Sequence, residues 1–158
     1  MKLLNQVIHF TKNTLSLAVI AAFPNLAFAT SPDLAAAHFQ RIATYLVCEN
    51  TSCDRNSIEE TVAEIVAASK DGNTLIYTDS PTGKIGFVDI RDAENPVGLG
   101  TLNTSGEPTS VAVSGDYVLV AVNTSTSFVA PSGVLAVYYL PTCLTNISSC
   151  TPVREIST

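Results

Sequence analysis

Residues Asp71–Ile90 read DGNTLIYTDSPTGKIGFVDI. Asp71-Gly72-Asn73 offers residues that tolerate positive φ in a tight turn. TLIYT and IGFVDI are runs of β-branched and aromatic residues, and DSPTGK between them gathers Asp, Ser, Pro and Gly, each a turn former for its own reason. Upstream, VAEIVAAS (62–69) meets TLIYT across the KDGN turn. Downstream, RDAENP (91–96) breaks the chain, and VGLGTLN (97–103) follows as a fourth, weaker strand. A helix competes for 58–69, because EETVAEIVAAS has fair helical propensity and apolar residues at helical spacing. The equivalent later segment, TSVAVSGD (109–116), is a much poorer helix, so both copies read as strand.

The same order recurs. TSVAV, the turn SGD, YVLVAV, a longer loop over 123–133, VLAVYYL, a cysteine loop and PVREIS complete four strands again. Gly72 matches Gly115, Gly83 matches Gly133, and Pro96-Val97 matches Pro152-Val153, with the spacing growing through the loops. Four short antiparallel strands repeated at roughly 40 to 50 residues are the signature of a propeller blade. YVLVAV is apolar at successive positions, as expected of a sheet covered on both faces. The reading is an all-β chain: a partial β-propeller of about two four-stranded antiparallel blades, 61–103 and 107–157, within a region 38–158.

What precedes that region reads as an export signal. Lys2 and Lys12 flank a start that turns apolar over Leu15–Ala22, too short to span a bilayer, and Ala27-Phe28-Ala29 gives the small-x-small pattern of a cleavage site. Cleavage is expected after Ala29, leaving a flexible leader over 30–37 and a secreted or periplasmic protein with no membrane partner. FQRIATYLV (39–47) is rich in β-branched and aromatic residues and reads as a further strand, ended by the loop that Cys48 opens.

The chain carries 8 Lys and Arg against 14 Asp and Glu, a net charge of −6. Loss of Lys2 and Lys12 makes the balance more acidic, which argues against nucleic acid as a partner. All four cysteines lie beyond the cleavage point. In an exported chain they read as disulfides, Cys48 with Cys53 and Cys143 with Cys150, since CENTSC and CLTNISSC are short polar loops that a bridge can pinch. Zinc is the rival, but neither pair has knuckle spacing.

TVAEIVAASKDGNTLIYTDSPTGKIGFVDI and GEPTSVAVSGDYVLVAVNTS resemble the secreted bacterial propellers with YVTN-type or LVIVD-type repeats. More narrowly, they are similar to the N-terminal region of phytase-like, esterase-like domain proteins. The resemblance runs from about His38 to Leu140 and implies a propeller. It departs from that pattern at Thr158, where a second blade ends although a closed propeller usually needs at least four. Missing blades or self-association are therefore the expected partners of the exposed faces.

A phytase-like activity implies calcium held by clustered oxygen ligands, at least in a full-length parent. The carboxylates near loops are Asp71, Asp79, Asp89, Asp92, Glu94 and Asp116. Each also fits an ordinary turn bracket, and no D-x-D-x-D-G loop is present. His38 alone remains after cleavage, no G-x-S-x-G elbow occurs, and no glycine-rich phosphate cradle appears, so the chain holds no complete active site. Asn50, Asn103, Asn123 and Asn146 stand in N-x-[ST] sequons. Tyr117, Tyr138 and Tyr139 suit strand packing better than a ligand pocket.

The functional expectation is a non-catalytic N-terminal propeller portion of an exported phytase-like or esterase-like protein, acting as scaffold. The alternatives are a secreted binding module using the 123–133 and 143–150 loops, with ligand unknown, or a truncated product with no function of its own.

Overall fold

A computed structural model describes residues 41–51, 53, 60–127 and 129–158. The expected signal segment, the leader and His38 lie outside the described residues. Among the described residues eight strands follow one another: β1 (Val66–Ala68), β2 (Thr74–Asp79), β3 (Lys84–Asp89), β4 (Val97–Asn103), β5 (Glu107–Ser114), β6 (Tyr117–Asn123), β7 (Gly133–Tyr139) and β8 (Arg154–Ser157). They form two four-stranded antiparallel sheets in chain order, β1-β2-β3-β4 and β5-β6-β7-β8.

The turns explain why the chain doubles back where it does. Gly72 and Gly115 open β2 and β6 with φ of +74° and +59°, a left-handed conformation that side chains disfavour. Ser69 closes the first turn by donating its amide to the Thr74 carbonyl at 2.8 Å. Gly83, at φ +64°, ends the tight Ser80–Gly83 turn, whereas the second copy spans the same step with the longer 123–133 loop. Thr104-Ser105-Gly106 links β4 to β5, tied down by the Thr104 hydroxyl, which donates to the Gly83 carbonyl at 2.9 Å.

The repeat proposed from sequence holds in the pairing. Ile76 faces Phe87 and Thr78 faces Ile85 in the first sheet. Leu119 faces Val137 and Ala121 faces Leu135 in the second. The fourth strands match less well. Gly100 stands opposite Phe87 and Arg154 opposite Val137, so Pro96 and Pro152 are not register equivalents. β4 also carries a bulge, where Leu99 is the extra residue between the Phe87–Gly100 and Val88–Gly98 pairs.

One core lies between the sheets. Ile76, Ile85, Phe87 and Leu102 of the first sheet join Val111, Val118, Val120, Val122, Ala136 and Tyr138 of the second. Burying side chains of this size contributes about 1.5–3 kcal/mol each. The chain after β7 adds to it: α1 (Leu140–Cys143) and a 3-10 turn at Ile147–Ser149 bring Leu140, Cys143, Ile147 and Cys150 into the same cluster. That turn rests on β4.

Two expectations need correction. The strand read over 39–47 is absent from its described part: Arg41–Leu46 is irregular and Val47–Asn50 is a 3-10 turn. Its backbone does not join a ladder because the chain binds the first sheet through the side chains of Tyr45 and Asn50, while the Cys48–Cys53 link bends it away from an extended path. β1 is also shorter than VAEIVAAS. Residues upstream accompany β2 through single bonds, Glu64 N–H to the Thr78 carbonyl at 3.1 Å and Thr78 N–H to the Ile65 carbonyl at 2.9 Å.

Candidate functional site

The carboxylates singled out in the sequence are spread over three places. Asp71 accepts hydrogen bonds from the Ser69 hydroxyl at 2.5 Å and from the Asn73 amide and carboxamide at 3.1 and 2.9 Å. The Ser69 bond, with those from Asn73, lowers its pKa. Asp89 pairs with the Arg91 guanidinium at 2.5 Å and accepts the Arg91 amide at 2.9 Å, and the guanidinium hydrogen bonds lower its pKa. Asp92 brackets its own turn through Asn95 and the Glu94 amide, with a pKa lowered chiefly by Asn95. Asp79 is buried in β2 and accepts the Val62 amide at 3.3 Å.

Asp89 and Asp92 line a cleft of about 350 Å³ with Arg91 and Asn95, while Asp71 and Asp116 line another of about 440 Å³ beside Lys70 and Pro141. Each cleft thus sets a cation among its acids. Among the described residues no group of three or more His, Cys, Asp or Glu converges as a metal site. The oxygens of Asp71, Asp89 and Asp92 serve local backbone and side-chain donors, which is what a turn bracket does.

The 123–133 loop is closed on itself. Thr124 donates its amide to the Ser132 carbonyl at 3.0 Å, and Ser125 and Ser132 exchange bonds of 3.1 and 2.9 Å. A single bridge pairs Ser127 with Ala130. Val129, 92% exposed, caps the outside of this hydrogen-bonded frame. The loop borders a cleft of about 640 Å³ that also includes Leu135, Val134 and Thr158.

The other loop proposed for recognition behaves differently. Cys143 and Cys150 are disulfide-bonded with Cα atoms 4.9 Å apart, and both are buried in the core with Ile147. Only its outer residues, such as Leu144 and Asn146, are exposed. The Cys48–Cys53 pair, also 4.9 Å between Cα atoms, lies at the surface.

Sequence reasoning missed the role of Asn50. The β4 bulge interrupts the ladder, and the Asn50 carboxamide supplies the bonds the bulge leaves out. Its Nδ2 donates to the Phe87 carbonyl at 3.1 Å and to Tyr77 Oη at 3.0 Å, while its Oδ1 accepts the Gly100 amide at 2.9 Å. A side-chain amide here takes the place of a peptide group. Tyr45 and Asn50 lie over Gly98, where a Cβ would overlap both. An amide so engaged is not presented as a glycosylation acceptor; the only sequence signal was the sequon itself.

The three tyrosines divide between two environments. Tyr138 is buried in the core, and burial raises its pKa. Tyr117 is 46% exposed and pairs with Tyr139 at 5.4 Å between ring centroids, on the outward face of the second sheet. Leu119, Ala121, Leu135, Val137 and Ile156 share that face by register.

No family model matches the chain, and comparison with curated proteins finds no match. Among solved structures, a hydrazine synthase from Kuenenia stuttgartiensis is similar over 61% of this chain at 18% identity, with a TM-score of 0.46. A functionally unknown protein from Desulfotomaculum acetoxidans DSM 771 is similar over 65% at 18% identity, with a TM-score of 0.47. The chain spans 24% and 30% of the lengths of those two proteins. Among the described residues no helix is long and apolar enough to cross a membrane.

Proposed function

We propose that this chain is a scaffold: the N-terminal, non-catalytic two-blade portion of an exported β-propeller of the phytase-like or esterase-like kind. Any reaction, and any calcium it needs, then belongs to residues outside this chain. The observation that carries this reading is the outward face of the second sheet. Leu119, Leu135, Val137 and Ile156 occupy the register positions of Ile76, Ile85, Phe87 and Leu102, the residues by which the first sheet packs on the second. A face built to the same plan suits a third sheet of the same kind. Cysteine pairs at disulfide distance fit an oxidising compartment.

Assay of the purified chain on phosphomonoesters and carboxylic esters, with and without calcium, is expected to give no turnover above the buffer blank. Calcium-dependent phosphoester hydrolysis, lost in Asp89→Asn, would overturn the scaffold reading. Mass spectrometry of the exported protein is expected to find its N-terminus at Thr30.

A second reading has an observation of its own. The braced 123–133 loop presents Val129 outward, as a recognition loop on a rigid frame would. Pull-down or array binding that depends on Val129 would favour it.

A further inference from the structure

The two sheets meet through unlike faces, and that asymmetry assigns a role to the Tyr45–Asn50 segment. The first sheet presents Ile76, Ile85, Phe87 and Leu102; the second receives them with Val118, Val120, Ala136 and Tyr138. Each sheet therefore has a presenting face and a receiving face. By pairing, Leu75–Val88 and Tyr77–Gly86 of the first sheet are the counterparts of Val118–Tyr138 and Val120–Ala136 of the second. The first sheet's receiving face thus carries Leu75, Tyr77 and Val88, and the second sheet's presenting face carries Leu119, Leu135 and Val137.

The presenting face of the second sheet stands half-exposed, with Ile156 at 43%. The receiving face of the first sheet is occupied. Asn50 bonds to Tyr77 Oη, the Tyr77 hydroxyl donates to the Val47 carbonyl at 3.5 Å, and Tyr45 with Asn50 lies over Gly98. The chain consequently holds both halves of a head-to-tail contact, one open and one covered. A heterologous contact of that kind has no internal stop, and repeating it gives rings or filaments.

We propose that Tyr45–Asn50, held by the Cys48–Cys53 disulfide, is an end cap that keeps copies of this chain from stacking. With the cap displaced, the occupant of the first sheet's receiving face is a second copy, docking through Leu119, Leu135 and Val137. The contact between copies then continues the contact already made inside each chain. The scaffold reading is not needed for either face, since both follow from the packing of one sheet on the other.

Two substitutions displace the cap from opposite sides. Asn50→Ala removes its hydrogen bonds, and Gly98→Ala places a methyl group where Tyr45 and Asn50 now sit. Sedimentation velocity on the full chain, expressed into an oxidising compartment, reads the result. The wild type is expected at single-chain mass. Each variant, with its β-sheet circular dichroism retained, is expected to rise with concentration to about twice that mass or more. Adding Leu119→Lys to either variant is expected to restore the single-chain mass.

A folded, cap-displaced variant that stays at single-chain mass would overturn the proposal. So would assembly that persists with Leu119→Lys, or a wild type that assembles with the Cys48–Cys53 bond intact. Should both substitutions unfold the sheets, mild reduction of the wild-type chain gives the same test, because the surface bond opens before the buried Cys143–Cys150 bond. Assembly on reduction, blocked by Leu119→Lys, supports the cap. Reduction of Cys48–Cys53 with no change in mass refutes it.

Discussion

Phe87 and Val137 hold the same position in two sheets built on the same plan, opposite Ile76 and Leu119 respectively. Phe87 is fully buried, whereas Val137 is only partly covered. Both are apolar residues in apolar strands. The difference arises because, among the described residues, the first sheet has a neighbour on that side and the second does not. A residue's burial in a repeat chain is thus set by its sheet's place in the order as much as by its own hydrophobicity.

That contrast breaks most readily by truncation. Phe87→Ala is expected to cost about 3–5 kcal/mol, and Val137→Ala about 1 kcal/mol or less. Urea unfolding of the two variants measures both; equal losses would mean that the sheets do not differ in cover. The disulfides make a parallel pair. Replacing Cys143 and Cys150 by Ser removes a core bridge, and about 2–4 kcal/mol is expected to go with it. The same change at Cys48 and Cys53 is expected to cost less, because that pair closes a shorter surface loop.

Most strands could be read because their boundaries are written in local chemistry. Gly72, Gly83 and Gly115 take the left-handed φ that their turns demand, and Asp71 brackets its turn through Ser69 and Asn73. Paired glycine turns between β-branched runs leave few alternatives. FQRIATYLV misled for the opposite reason. Its composition favours a strand, but Tyr45 and Asn50 are claimed by a sheet distant in sequence. The β4 bulge was equally hidden, since Gly98-Leu99-Gly100 reads only as a weak strand; the cue lay in Asn50, far upstream. The candidate metal carboxylates show the same limit. Spacing alone could not distinguish ligands from turn brackets; the hydrogen bonds show Asp71, Asp89 and Asp92 each bracketing its own turn.

Smaller effects sharpen the comparison. Asn50→Ala strips the Phe87 carbonyl and the Gly100 amide of their partner, at an expected cost of about 1–3 kcal/mol, with no equivalent position in the second sheet. Gly72→Ala and Gly115→Ala each force a side chain into a left-handed turn with open space around it. Each is expected to lose about 1 kcal/mol, and the two losses should be alike.

Acid has the mildest effect and a defined side. Asp71, Asp89 and Asp92 all have lowered pKa values and all belong to turns of the first sheet. A lowered folded pKa adds stability above the unfolded value of about 4, and that stability disappears as pH falls through the folded pKa. Amide exchange followed below about pH 4 is therefore expected to show the 69–74 and 89–95 turns loosening before the 114–117 turn.

Tyrosine modification of the native chain, located by mass spectrometry, reads directly whether the outward face of the second sheet is open. Tyr77 and Tyr138 are buried, while Tyr117 and Tyr139 lie on the outward face of the second sheet. Rapid modification of Tyr117 and Tyr139, with Tyr77 and Tyr138 protected until the protein unfolds, is the predicted result. Protection of Tyr117 and Tyr139 to the level of Tyr138 would contradict an open second sheet.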